Sequence, residues 1–277
     1  MRNRLTDELA VCGFNTVVAA AEYHPDNINR LFLREDRLKS FTGICKKLAE
    51  RKRPYKLCED EELERISKTS HHQGVVAMVY APVVDPLSRD DLDEWAGKGK
   101  TGLLLHSAGN DHNLGAIIRS AAFFDAPFIV LEEEESEAML TTSAYRVAEG
   151  GMEHVTVRKV RSFASFLRDA SRLLVTIGAD VRARQRIQDI PEIIRSENKR
   201  LETAAIAARN QGKRARSISA GTSRPGIALV LGNEETGLPQ EVKENCTVLV
   251  RIPGTGLMES LNVAQAATLF LHEFFKL

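Results

Sequence analysis

Three short stretches of this 277-residue chain carry side chains whose types and spacing could do chemistry. Two are glycine-rich turns near the C-terminal end, Leu231-Gly-Asn-Glu-Glu-Thr-Gly-Leu238 and Ile252-Pro-Gly-Thr-Gly-Leu-Met-Glu-Ser-Leu-Asn-Val-Ala264. Each follows an apolar, β-branched run, Ile227 to Leu231 and Val248 to Ile252. Strands that end in glycine-rich loops are how an α/β sheet builds a ligand site: glycine lets the backbone approach the ligand, and the following helix offers unpaired N–H donors. The polar groups left to explain are Glu234, Ser260 and Asn262. Capping would also explain them, Glu234 on the N–H groups of its own turn and Ser260 or Asn262 at the start of the last helix. The third stretch, His106-Ser-Ala-Gly-Asn-Asp-His-Asn-Leu-Gly-Ala-Ile-Ile-Arg-Ser-Ala-Ala122, is a polar loop leading into a helix predicted over 114–124. Asp111 or Asn113 is available to cap that helix, and Arg119 falls in its second turn. A guanidinium is always charged and donates two bonds in one plane, which suits phosphate. Spacing alone leaves Arg119 open between a phosphate ligand and an ordinary surface helix residue.

Read together, the stretches match N-x-G-x-x-x-R (Asn113, Gly115, Arg119), L-G-x-E-x-x-G (Leu231, Gly232, Glu234, Gly237) and I-P-x-x-G-x-x-x-S-L-N-V (Ile252, Pro253, Gly256, Ser260 to Val263). In order and spacing they resemble the three motifs of the SpoU (TrmH-like) RNA ribose methyltransferases of the SPOUT superfamily. Gly254 stands where that family usually has Met, and Ala264 where it has Ser. The resemblance implies a deep C-terminal trefoil knot, a homodimer formed through the C-terminal half, and S-adenosylmethionine held by the backbone at Gly232, Ile252 and Leu261, with Leu231 and Gly256 in the same loops. It implies that Arg119 binds the phosphate of the target nucleotide in tRNA or rRNA and assists deprotonation of its ribose 2′-hydroxyl, with Glu234, Ser260, Asn262 and Asn113 positioning ribose and arginine. A ribose hydroxyl is almost fully protonated at neutral pH, so its proton needs a destination before the oxygen can attack. No metal is implied. Two rival readings are a non-catalytic RNA-binding or ribosome-assembly factor that keeps the fold, and an enzyme that methylates a base.

The rest of the chain must position these groups. Its length allows two domains, and 43% hydrophobic with 27% charged residues is ordinary for a globular protein. Formal net charge is zero, so attraction to nucleic acid has to come from local patches. Cys12, Cys45, Cys58 and Cys246 have neither C-x-x-C spacing nor a paired His, which predicts reduced thiols, no structural zinc and a cytoplasmic protein. Neither a membrane-spanning run nor a signal peptide is legible.

In the first eighty residues the periodicity predicts a helix over 15–21, a strand over 28–33, a helix over 38–51, a strand over 55–57, a helix over 61–67 and a strand over 75–80. This resembles the L30e-like substrate-binding domain often fused ahead of SpoU catalytic domains; Cys12-Gly-Phe-Asn-Thr-Val-Val18 and His72-Gln-Gly-Val75 match its phrases. Lys46, Lys47, Arg51, Lys52, Arg53 and Lys56 crowd together with only Glu50 opposing them. Such a cluster can neutralise RNA phosphates, and it also fits a solvated helix end. His71 and His72 read as loop or core hydrogen-bonding residues. Residues 83–100 read as a linker with one short helix near 90–95, giving an RNA-binding domain over 1–82 and a SPOUT methyltransferase domain over 101–277.

In that second part, strands expected at 102–105, 128–131, 155–157 and 173–177 alternate with helices at 141–150 and 162–171, which implies an α/β fold with a parallel sheet covered on both faces. No G-x-G-x-x-G or G-x-x-x-x-G-K-[S/T] is present, which disfavours ordinary dehydrogenases, Rossmann methyltransferases and P-loop kinases. The acidic run Glu132 to Glu135 reads as a solvated edge without a role. A basic insertion over 182–224 holds eleven Lys or Arg against four Asp or Glu; its 211–223 part should be mobile without RNA, and shortening it should spare the fold. The last helix, Val263 to Leu277, is apolar on nearly every face and should be buried on several sides.

Overall fold

The computed structural model describes residues 2–3, 7–107, 110–210 and 224–277, and the mobility expected of 211–223 lies outside them. In chain order the first elements are β1 (Arg2–Asn3), β2 (Glu8–Cys12), α1 (Phe14–Tyr23), β3 (Ile28–Leu33), α2 (Leu38–Glu50), β4 (Tyr55–Leu57), α3 (Asp60–Ser67) and β5 (Val75–Tyr80). They are followed by α4 (Arg89–Gly97), β6 (Thr101–Leu105), α5 (Asp111–Phe123), β7 (Phe128–Glu132), α6 (Glu133–Met139), α7 (Thr142–Ala148), β8 (Thr156–Val160), α8 (Phe163–Ala170) and β9 (Leu174–Ala179). The chain closes with β10 (Gln185–Arg186), α9 (Ile190–Asn210), β11 (Gly226–Leu231), α10 (Gln240–Glu244), β12 (Val248–Arg251) and α11 (Val263–Phe275).

Two compact units result. The first comprises Met1–Val83, Asn110–Arg119 and Glu137–His154. Its sheet runs β1-β2-β5-β3-β4, antiparallel except where β3 meets β4. Leu9, Val11, Leu31, Leu33, Val75, Ala77 and Val79 face a core shared with Val17, Phe41 and Leu48. The opposite face packs Ala10, Cys12, Val76 and Met78 with Leu63 of α3. Strand β2, between β1 and β5, is not among the expected elements: its Glu-Leu-Ala-Val-Cys has too short an alternation to stand out, and it is buried throughout. Helix α7 also belongs here, with Tyr145 packed on the core and Gly150 so close to Ala19 that a Cβ would approach that methyl to 2.8 Å.

The second unit, Val84–Gly109, Ser120–Ser136 and Val155–Leu277, is built on a parallel sheet of order β10-β12-β9-β11-β6-β7-β8. The central β11, Gly-Ile-Ala-Leu-Val-Leu, is buried at every residue, as a parallel strand covered on both faces must be. Since neighbours run parallel, the loops after β6, β11 and β12 leave from one edge.

The short helix expected within residues 83–100 is α4, and its Trp95 is fully buried, stacks on Phe128 with centroids 5.2 Å apart, and donates its indole N–H to the Ile227 carbonyl at 3.0 Å. Other expectations need correction. Glu132 is no solvated edge, because its two oxygens take the Phe163 N–H (3.2 Å) and His106 Nδ1 (2.7 Å). The segment from 182 is no detachable insertion. Its β10 extends the sheet beside β12, Ile190, Ile194 and Leu201 of α9 are buried, and Arg224 donates to the carbonyls of Gly99 and Phe274, each at 2.7 Å. Removing all of 184–224 would strip these contacts, so only 211–223 remains a candidate for shortening. Finally, α11 is buried on one side and exposes a stripe containing Leu269 and Phe275.

Candidate active site

In the second unit the turn after β11 is closed by its own backbone. A Cβ on Gly232 would lie 2.4 Å from the carbonyl carbon of Gly237 and 2.6 Å from the Leu238 nitrogen, closer than any side chain tolerates, so only glycine lets the chain pass. The turn's N–H groups go to Asn233, which the sequence reading had not singled out. Its Oδ1 accepts from Glu235 N (2.8 Å) and Thr236 N (3.2 Å), its carbonyl accepts from Gly237 N (2.9 Å), and its Nδ2 donates to the Ser107 carbonyl at 3.1 Å. An Asx turn is a sequence signal for this role.

Asn233 thereby caps the turn. Glu234 Oε1 accepts from Asn262 Nδ2 (2.6 Å) and from the Val263 N–H (3.1 Å). Asn262 caps α11, its Oδ1 taking the N–H groups of Ala264 (2.9 Å) and Gln265 (3.4 Å). Capping and positioning therefore coexist in Asn262, which is oriented by the carboxylate of the neighbouring loop. Ser260 lies exposed in the loop, and Ile252 is half-buried at its start. Across 253–262 every residue is exposed, with Leu257 at 88% and Met258 at 80%. A Cβ at Gly254 or Gly256 would meet nothing within 4 Å.

This cradle suits S-adenosylmethionine. The apolar Leu257, Met258 and Leu261 can cover a flat heteroaromatic ring, and open space beside Gly256 lets a ligand reach the backbone. The stretches 231–238 and 252–264 hold Glu234, Glu235 and Glu259 and no Lys or Arg, so a cationic sulfonium meets no repelling charge from them.

In the first unit, α5 begins at Asp111, three residues before its expected start, because Asn110 Oδ1 takes the Asn113 N–H at 2.9 Å. Asn110 is thus the cap in place of Asp111 or Asn113, Asn113 is buried within the first turn, and Arg119 moves to the third turn. A Cβ on Gly115 would lie 2.5 Å from the Ala144 carbonyl oxygen, so that glycine lets α5 lie directly on α7. One consequence is that Arg119 reaches Glu149, just past the end of α7, with 3.1 Å between guanidinium nitrogen and carboxylate oxygen. Glu149 was not legible in advance, since the contact depends on how the two helices pack.

Of the six clustered cations, three are engaged. Arg51 pairs with Asp26 at 2.8 Å, Lys56 with Glu62 at 2.8 Å, and Arg53 donates to Asn29 Oδ1 (2.6 Å) and Tyr80 Oη (3.0 Å). Lys46, Lys47 and Lys52 remain exposed and outside any ion pair among the described residues. His72 is buried and accepts the Gly74 N–H on Nδ1 at 3.1 Å, a structural role as expected.

Residues 100–272 match the sequence model of the SpoU rRNA Methylase family, and residues 10–82 that of the RNA 2'-O ribose methyltransferase substrate binding domain. Among similar proteins, the 23S rRNA (guanosine-2'-O-)-methyltransferase RlmB of Nitrosomonas europaea is 28% identical, across 98% of this chain and 93% of its own. In the solved AdoMet-bound rRNA methyltransferase from Sinorhizobium meliloti the fold recurs with a TM-score of 0.69 at 20% identity, covering 98% of this chain and 88% of that one. The SpoU methyltransferase AviRb from Streptomyces viridochromogenes, in complex with AdoMet, has a TM-score of 0.65 at 20% identity, covering 99% and 93%. Three motifs in order, the parallel sheet that carries two of their loops, and a family match over more than half the length agree: the chain belongs to the SpoU rRNA methylase family, S-adenosylmethionine-dependent enzymes that methylate the ribose 2′-hydroxyl of RNA.

Proposed function

We propose that this enzyme methylates a ribose 2′-hydroxyl in ribosomal RNA, the substrate named for its Nitrosomonas europaea relative, with Arg119 as the phosphate ligand and Glu234, Ser260, Asn262 and Asn113 as the groups that position ribose and arginine. When bound, S-adenosylmethionine supplies an electrophilic methyl group. Backbone groups at Gly232, Ile252 and Leu261 hold it, and Glu234 keeps the loop that carries Asn262 in place. The observation that carries this reading is the bond from Asn262 to Glu234, which ties the second motif to the third while Asn262 still caps the last helix. A guanidinium fixes the target phosphate and lowers the cost of negative charge developing on the 2′-oxygen.

Residues 1–82 act as the RNA-binding domain through Lys46, Lys47 and Lys52 above all, and 101–277 as the catalytic domain. The reading includes the trefoil knot implied by the fold family, threaded by the chain that follows β12, and a cytoplasmic site of action; no described helix is long and apolar enough to cross a membrane. Arg119→Ala lowers methyl transfer at least about 100-fold while calorimetric affinity for S-adenosylmethionine stays within about twofold. Near-normal turnover in that variant removes Arg119 from the site. Ribose-methylation mapping of RNA from a deletion strain identifies the nucleotide, and a missing mark in tRNA instead of rRNA would overturn the substrate assignment.

The enzyme works as a homodimer in this reading. Phe123 (80% exposed), Phe124 and Phe275 (61%) form an aromatic patch, with the Phe124 ring 5.0 Å from that of Phe123 and 5.8 Å from that of Phe275, and a patch of this kind calls for a partner. Light scattering at micromolar concentration should give twice the chain mass, and a Phe275→Asp variant should give the monomer; a monomeric wild type rejects the dimer.

A further inference from the structure

We propose that Glu149 is an internal stand-in for the RNA phosphate, holding Arg119 in an ion pair that an RNA phosphate displaces on binding, and so lowers the affinity for RNA and its dependence on salt. The inference rests on the reading of Arg119 as the phosphate ligand. The pair spans 3.1 Å, with side chains 58% and 41% exposed. At such exposure an ion pair is worth little net free energy, which makes it displaceable, yet it still orders a long and flexible arginine.

The position of Glu149 argues that its side chain is there for a purpose. It ends α7 in the left-handed region, φ 47 and ψ 45, where glycine is the favoured residue, and Gly150 (φ 92) and Gly151 follow. A Cβ on Gly151 would lie 3.2 Å from the Arg119 Cα, so backbone packing brings α5 against this corner and sets Glu149 beside the guanidinium. A glutamate here pays backbone strain that glycine would avoid, and its carboxylate is spent on Arg119.

Counterion accounting makes the idea measurable. When RNA takes Arg119 from Glu149, the carboxylate left beside the phosphate offsets the arginine's charge, so the pair brings no net positive charge to the RNA and adds little to the salt dependence. Replacing Glu149 by a neutral residue turns the same contact into an ordinary neutralisation that releases about 0.7 to 0.9 of a counterion.

The test is fluorescence anisotropy of a labelled hairpin RNA of arbitrary sequence titrated with the full-length protein between about 50 and 200 mM salt. Glu149→Gln should tighten binding about two- to fivefold at the low-salt end and steepen the slope of log K against log salt by about 0.7 to 0.9. Glu149→Gly should show the same slope with undiminished thermal stability, which excludes damage to the fold as the cause. Arg119→Gln should weaken binding without changing the slope, and in its background Glu149→Gln should have no effect. An unchanged slope in Glu149→Gln overturns the proposal, as does equal tightening by Glu149→Gln with and without Arg119, which would mean simple repulsion of RNA by the carboxylate. Wild-type RNA affinity and wild-type turnover in Arg119→Gln together would instead sink the underlying assignment of Arg119.

Discussion

Two glycine-rich loops leave the same edge of the seven-stranded sheet, and they are held in opposite ways. The turn after β11 is saturated by its own polypeptide: Asn233 takes its N–H groups and Gly232 lets strands of backbone cross. The loop after β12 is exposed over 253–262, and the bonds around Asn262 fasten its far end. Similar composition thus serves two purposes. In one loop glycine is required by the protein itself, and in the other the space beside glycine is left for something else to occupy.

Swapping glycine for alanine in each loop gives the sharpest contrast. Gly232→Ala forces a Cβ into the backbone of Gly237 and should cost about 3 kcal/mol of stability in denaturant melts, with calorimetric cofactor binding lost. Gly254→Ala, whose Cβ meets open space, should stay within about 0.5 kcal/mol of wild type. Equal losses in both variants would erase the distinction between the loops.

A smaller effect is expected where the loops are tied. Glu234→Ala removes the acceptor for Asn262 Nδ2 and the Val263 N–H, and should cost about 1.5 kcal/mol along with weaker cofactor binding. A double-mutant cycle with Asn262→Ala should return a coupling of at least about 0.5 kcal/mol; additivity would mean that the tie contributes nothing.

The smallest effect per residue is alkaline. Leu238, at the end of the fastened turn, packs in the same core as Cys246, whose thiol burial pushes up to about 12, while burial raises Cys12 in the other unit to about 11. Both folded values lie above the ordinary 9.0, so the thiols' contribution is fully present below pH 9 and is lost as pH rises toward 11 to 12, because only the unfolded chain can ionise. By pH 10 the loss should approach about 1.4 kcal/mol per thiol. Denaturation midpoints that do not fall between pH 9 and 10, or that fall equally in Cys246→Ala, would contradict this.

Much of the secondary structure was legible because it is locally encoded. Val75 to Tyr80, Ile28 to Leu33 and Leu38 to Glu50 show their period and their punctuation in the chain itself. What escaped notice depended on distant partners. Glu132 looked like part of a solvated acidic run until His106 and the Phe163 N–H were placed against it. Arg51, Arg53 and Lys56 looked like free cations until Asp26, Asn29 and Glu62 were brought to them from elsewhere in the chain.

By itself the sequence determined the three motifs, the alternation that makes a parallel sheet, and the residue types able to hold a phosphate or a sulfonium, because each of these is written in residues a few positions apart. Tertiary structure alone decided what those residues are bonded to. Asn233 takes N–H groups of the turn, Glu234 reaches across 28 positions to Asn262, and Glu149 meets Arg119 because Gly115 lets two helices touch. A side chain's partner is chosen by the packing of backbones far apart in sequence, and no local pattern records that choice.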